Sequence, residues 1–166
     1  MENQKKSPKQ RGLKRIPDYD YSSPGAYFIT LCTENRKCLF GDIANDQMIP
    51  NIYGNIVLNA WKNIPNENSN ILLDYFTLMP NHLHGILHIT KNGGFPINKI
   101  IQYFKTQTAK EINLIRNTPG KSLWQRNYYE RVIRNEEEIE KIREYIINNP
   151  LKWALDEENP NNLKIR

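Results

Sequence analysis

The chain is poor in the residues and motifs that mark several common protein classes. It has two cysteines and three histidines in 166 residues. Cys32 and Cys38 make neither a CxxC pair nor a disulfide framework, which argues against a zinc ribbon and a stapled secreted scaffold and fits reduced thiols in the cytoplasm. Apolar runs are short: stretches such as 26–32 fall well below the roughly 18–20 residues needed to cross a bilayer. The first residues, MENQKKSPKQRGLKR, are basic, but PDYDYSSPG follows where a secretory leader would carry its apolar centre. A cytoplasmic protein with no membrane partner is expected. P-loop, GxSxG and HExxH patterns are missing too, so nucleotide hydrolases, serine hydrolases and zinc proteases lose support.

What is present suits one domain. Hydrophobic residues make up 39% and charged residues 25%, enough apolar material for a core under a polar surface. The net charge is +5, which favours polyanionic partners through steering and counterion release. Lys5, Lys6, Lys9, Arg11, Lys14 and Arg15 crowd the start, as a phosphate-touching arm or a solubilising tail would. The expected organisation is a basic arm over 1–25, a folded domain over 26–155 and a polar tail over 156–166.

Residue patterning supplies the elements. AYFITLCT (26–33) is aromatic and β-branched after a Ser-Pro-Gly turn and reads as a strand. Residues 39–43 and 47–49 suit a small hairpin. Tyr53, Ile56, Val57, Ala60 and Trp61 recur at helical spacing up to Pro65. Segments 71–79 and 82–90 read as adjacent strands separated by Pro80-Asn81. A long amphipathic helix over 97–115 follows, then a strand over 123–133. The last helix starts after Asn135, which can cap it with Glu138 at the capping-box position, and stops at Pro150. This order predicts an α+β fold of the ferredoxin-like kind, with a central, mainly antiparallel sheet and helices on one face.

All three histidines fall in MPNHLHGILHI, residues 79–89. On a strand, side chains at i and i+2 share a face, so His82 and His84 project together while Leu83 points away. Two neutral imidazoles aimed at one point can ligate a metal, although paired histidines on strands are also common as structural groups. His88 has the same parity but lies further along, and reads as incidental.

In NEEEIEKIREYIINNP, Ile139, Ile142 and Ile146 form the buried stripe. Tyr145 and Asn149 lie roughly 40° apart at its edge, given about 100° per residue. A phenol beside a metal is a candidate nucleophile, and the Asn149 amide oxygen is a candidate hard-cation ligand. Asn148 is a rival, since Pro150 perturbs the backbone at Asn149; Tyr145 as a half-buried helix residue and Asn149 as a plain C-cap is the simpler alternative. In LWQRNYYERVIR, Trp124, Tyr128 and Tyr129 are interleaved with Arg126, Arg131 and Arg134, as stacking and guanidinium groups are in single-strand binders. Together with Lys14, Arg15, Lys99 and Lys105 these are the candidate nucleic-acid contacts, although aromatic residues on strands are usually core.

In combination, PGAYFITLCTENRKCLFGDI, PNHLHG, LWQRNYYERVIR and REYIINNPLKWAL resemble the REP-associated tyrosine transposases, relatives of the single-tyrosine HUH insertion-sequence transposases. The similarity covers residues 19–160. It implies an HUH fold and a metal-dependent DNA endonuclease and strand transferase that cuts and rejoins single-stranded, hairpin-bearing DNA through a 5′-phosphotyrosine. Under this resemblance Tyr145 is the nucleophile, and His82, His84 and Asn149 hold a divalent Mg or Mn ion. The protein would act as a monomer or dimer. A non-cleaving hairpin-binding protein on the same fold is the alternative. Arg131 departs from the family, many of whose members carry histidine there.

Overall fold

The structure, a computed structural model, describes residues 15–165. Lys14 and the rest of the basic arm before Arg15 lie outside the described residues.

Four strands form the central sheet in the order β4-β5-β1-β6, where β1 is Gly25–Cys32, β4 Ile71–Met79, β5 His82–Ile89 and β6 Tyr129–Ile133. Every neighbouring pair is antiparallel, as expected. A hairpin of β2 (Gly41–Ala44) and β3 (Gln47–Pro50) stands apart from it. Three helices complete the fold: α1 (Ile52–Glu67), α2 (Ile97–Ile115) and α3 (Glu136–Asn148).

The helices occupy both faces, which corrects the expectation of one. Alternation along β1 and β5 divides their side chains between two cores. Tyr27, Ile29, Leu31, Leu83 and Leu87 pack with Val57 and Trp61 of α1 and Ile101 and Phe104 of α2. Phe28 and Ile86 face the other way, against Ile133 and the α3 residues Ile139 and Ile146. Both central strands are therefore apolar on both sides, and β5 must shed its polar groups except where one is used. His82 and His84 lie on the α3 face.

Two element boundaries differ from the sequence pattern. α1 runs through Pro65 to Glu67, because the proline falls in the last turn and Asn68 closes it, donating to the Ile64 carbonyl from its backbone and its side chain. The last strand begins only at Tyr129. Before it, Trp124 makes an isolated bridge to Thr33, and Lys105 Nζ takes the carbonyls of Gln125 and Arg126 at 2.7 and 3.0 Å, so those groups never enter a ladder. At α3 the capping signal holds: Asn135 Oδ1 accepts from the Glu138 amide at 2.9 Å.

The segment after Leu155 is not a free polar tail. It folds back on the sheet, with Asn159 buried and Glu158 ion-paired to Arg36.

Candidate active site

β5 and α3 build the site. His82 and His84 alternate with the fully buried Leu83, and their ring centroids are 4.6 Å apart. The antiparallel register with β1 puts Thr30 beside His84 and Cys32 beside His82. α3 crosses this face, its isoleucines seated on Phe28 and Ile86, and the helical offset carries Tyr145 and Asn149 to the histidines. The Tyr145 hydroxyl is 3.3 Å from His84 Nε2, and Asn149 Oδ1 is 3.3 Å from His82 Nε2. It is Asn149, and not its rival Asn148, that faces His82.

The hydrogen-bond network sets the state of His82. Asn81 Nδ2 donates to the carbonyls of Arg36 and Glu158 at 2.9 and 2.7 Å, so Asn81 Oδ1 faces His82 Nδ1 at 2.8 Å. An amide oxygen only accepts, so the proton sits on His82 Nδ1 and Nε2 presents a bare lone pair. That lone pair points at the Asn149 oxygen, and Asp156 Oδ2 lies 3.7 Å away. The Nε2 lone pair and the Asn149 oxygen thus face each other with no proton to share, while the Asn149 amide nitrogen donates to the Asp156 carboxylate. A cation is what such a cluster fits, and the donor types, imidazole nitrogen with oxygen, suit Mn²⁺ as well as the harder Mg²⁺.

Electrostatics point the same way. Burial lowers the pKa of His82 to about 4, against the opposing pull of Glu158 and Asn149. Burial and then the neighbouring His82 hold His84 well below its ordinary value. Both rings are neutral near pH 7, the form that ligates. Tyr145 is pushed up to about 12 by burial and by the carboxylate of Asp156, so its phenol is protonated and needs assistance to become a nucleophile. His84 Nδ1 is 2.7 Å from Thr30 Oγ1. When the His84 proton sits on Nδ1, toward the Thr30 hydroxyl, Nε2 has one lone pair, which can take the phenol proton or a cation but not both.

The remaining sequence-expected residues are dispersed. Trp124 is in the α1/α2 core, where it donates to Thr108 Oγ1 at 2.9 Å, and offers no face for stacking. Tyr128 packs on the same core and donates to Glu130 at 3.1 Å. Arg15 pairs with Glu130 at 3.2 Å. Lys99 and Lys105 are on α2, across the sheet from the histidines, and Lys105 is occupied by the carbonyls named above. Arg126 and Arg134 are exposed. Arg131, paired with Phe28 in register, is on the α3 face, ion-paired to Glu138.

Two neighbours of the site, Asn81 and Asp156, were not singled out from the sequence, whereas Tyr129 was among the stacking candidates. Tyr129, half-exposed, lies opposite Thr30 with its ring 6.0 Å from Phe28; strand parity distinguishes it from Tyr128 once the strand is placed. Asn81 was visible only as a turn residue. Asp156 sits in a polar stretch with no periodic signal at all.

Comparison with known proteins identifies the family and the fold. The IS200-like transposase family matches residues 23–149. A protein of Haemophilus influenzae, uncharacterized, is 40% identical over 161 residues, covering 86% of this chain and 89% of its own. A REP-associated tyrosine transposase solved with a REP hairpin shares the fold at a TM-score of 0.63 and 20% identity, covering 87% of this chain and 76% of that one. A candidate transposase from Deinococcus radiodurans superposes at a TM-score of 0.50 and 17% identity, over 82% of this chain and 97% of that one. The family match spans residues 23–149, most of the chain, and on that ground the chain belongs to the IS200-like transposases.

Proposed function

We propose that this protein cuts and rejoins single-stranded DNA with Tyr145 as the nucleophile. The observation that carries the reading is the 3.3 Å approach of the Tyr145 hydroxyl to His84 Nε2, which puts a phenol beside a two-histidine cluster on one chain. The phenol oxygen bonds to the scissile phosphorus and the P–O3′ bond breaks. The products are a 5′-phosphotyrosine and a free 3′-hydroxyl. The proton lost by the phenol is balanced by the one taken up by the leaving 3′ oxygen. Rejoining is the reverse, and since the phosphotyrosine keeps the bond energy, no nucleotide is consumed.

His82, His84 and Asn149 would hold a divalent ion, Mg or Mn. When bound, such an ion polarises phosphate oxygens and stabilises the charge that develops on them. The chain's own residues do the positioning: α3 fixes the direction of attack, and Asn81 and Thr30 set the imidazole orientations. Phe28 and Tyr129 give an apolar floor beside the phosphate position, and Arg131, on the same sheet face, and the exposed Arg134 are guanidinium groups suited to the strand's backbone. All these groups belong to one protomer, so the reading needs no second copy. The hairpin bound by the structural relative supports hairpin-bearing DNA as the substrate.

Incubating the full chain with end-labelled single-stranded oligonucleotides carrying hairpins, in Mn²⁺, tests this. A labelled adduct that survives denaturation is expected, absent in Tyr145→Phe. An adduct that persists in Tyr145→Phe refutes the nucleophile, and cleavage without any adduct indicates activated water. Tight binding with neither adduct nor cleavage would make the protein a binding module.

A further inference from the structure

We infer that Asp156 is a fourth donor to the cation held by His82, His84 and Asn149, making the C-terminal segment a working part of the site. The inference rests on the cation reading above and extends it to residues outside the family match, which ends at 149.

The geometry is that of a donor set. One ligand atom each from His82, His84 and Asp156 all lie within 4.8 Å of one another. The Asp156 side chain is only 6% exposed, and an ionised carboxylate taken out of water needs a compensating partner. Among the described residues, no lysine or arginine supplies it: besides a bond from the neutral Asn149 amide, the ion-pair partner of Asp156 is His82, whose Nε2 carries no proton. The Asp156 Oδ1 atom already accepts from the Glu158 amide at 2.7 Å. Its second oxygen, Oδ2, is the one that faces His82.

The segment is also held as a preformed arm rather than leaning on the site by chance. Asn81, which orients His82, donates with the other end of its amide to the Glu158 carbonyl. Arg36 pairs with the Glu158 side chain. Asn159 Nδ2 closes onto the Trp153 carbonyl at 2.9 Å, and Asn162 Nδ2 onto those of Ala154 and Asp156. The Trp153 ring lies 6.0 Å from His82 and shields the imidazole. One residue, Asn81, thus ties the imidazole and the carboxylate into a single network. Two nitrogens, an amide oxygen and a carboxylate oxygen form a set that Mn²⁺ accepts more readily than Mg²⁺.

Mn²⁺ binding by the full chain without DNA tests the inference, read by calorimetry and by the loss of the free-ion electron paramagnetic resonance signal. Asp156→Asn should weaken binding at least about tenfold and shrink the Mn²⁺-induced rise in Tm, with its Tm in chelator close to that of the unmodified chain. In the unmodified chain, Mn²⁺ should slow amide hydrogen exchange across residues 153–159, a readout that does not depend on the variant folding. Unchanged affinity in Asp156→Asn, or Mn²⁺ binding that leaves that exchange unaltered, overturns the inference. Loss of cleavage with full Mn²⁺ affinity also overturns it, because Asp156 would then act on protons. If Mn²⁺ fails to bind the unmodified chain, or binds His82→Ala equally well, the cation reading itself is wrong.

Discussion

At the scale of single residues, the site is defined by which atoms carry protons. His82 illustrates the point, since its Nδ1 proton follows from two carbonyls that occupy the Asn81 amide nitrogen. Replacing Asn81 by alanine should therefore cost about 10–100-fold in Mn²⁺ affinity without touching a ligand, as calorimetry would show. Acid should act on the same groups. Burial holds the folded pKa of His82 at about 4 against 6.5 for an ordinary histidine, and His84 is lowered as well. The unfolded chain thus takes up protons first. Stability contributed by these neutral rings is fully present above about pH 6.5 and drains away as pH falls toward 4, by about 1.4 kcal/mol per group and pH unit. Denaturant midpoints in chelator should decline over that window, and much less in a His82→Gln, His84→Gln double variant.

At the scale of elements, several contacts seat α3, the helix that carries Tyr145. Besides its isoleucines, α3 is fastened by Arg143, two residues before Tyr145, which donates to both oxygens of Asp74 on β4 at 3.0 and 2.6 Å. His88 Nε2 meets the same carboxylate at 2.8 Å. The third histidine, which looked incidental in sequence, belongs to this anchor. Desolvation opposes ionisation of Asp74, yet the bonds from Arg143 and His88 take its pKa down to about 2. Asp74→Asn should cost roughly 1–3 kcal/mol in chemical denaturation. It should also lower adduct formation more than Mn²⁺ affinity, because Tyr145 moves while the two β5 ligands stay. The Asn135 cap is separable: Asn135→Ala is expected to cost about 1 kcal/mol with the anchor intact.

At the scale of the molecule, two cores share one sheet, and the face that carries the histidines depends on the opposite one. Gly85 lies between the layers: a Cβ there would come within 2.4 Å of Trp61 Cζ2, and Trp61 is fully buried. Gly85→Ala should therefore destabilise by about 1–3 kcal/mol through overpacking, despite alanine's easier backbone, as measured by denaturant unfolding. Because Gly85 directly follows His84, the same displacement should weaken Mn²⁺ binding. Among the described residues no helix is long and apolar enough to cross a membrane, so these layers account for the apolar helices.

The residue order alone determined what consecutive positions can express. Alternation placed His82 and His84 on one side of a strand, the 3.6-residue period put Tyr145 and Asn149 on one edge of a helix, and the apolar stripe of α2 was legible over its whole length. These are local properties, set by backbone geometry whatever surrounds them. Tertiary structure decided the rest. It chose the sheet face for α3, took Trp124 into the core and gave Lys105 to two carbonyls instead of phosphates. It also brought Asp156 to imidazoles far away in the chain. Such outcomes depend on which buried polar atoms must find partners once the layers close, and no period in the sequence carries that information.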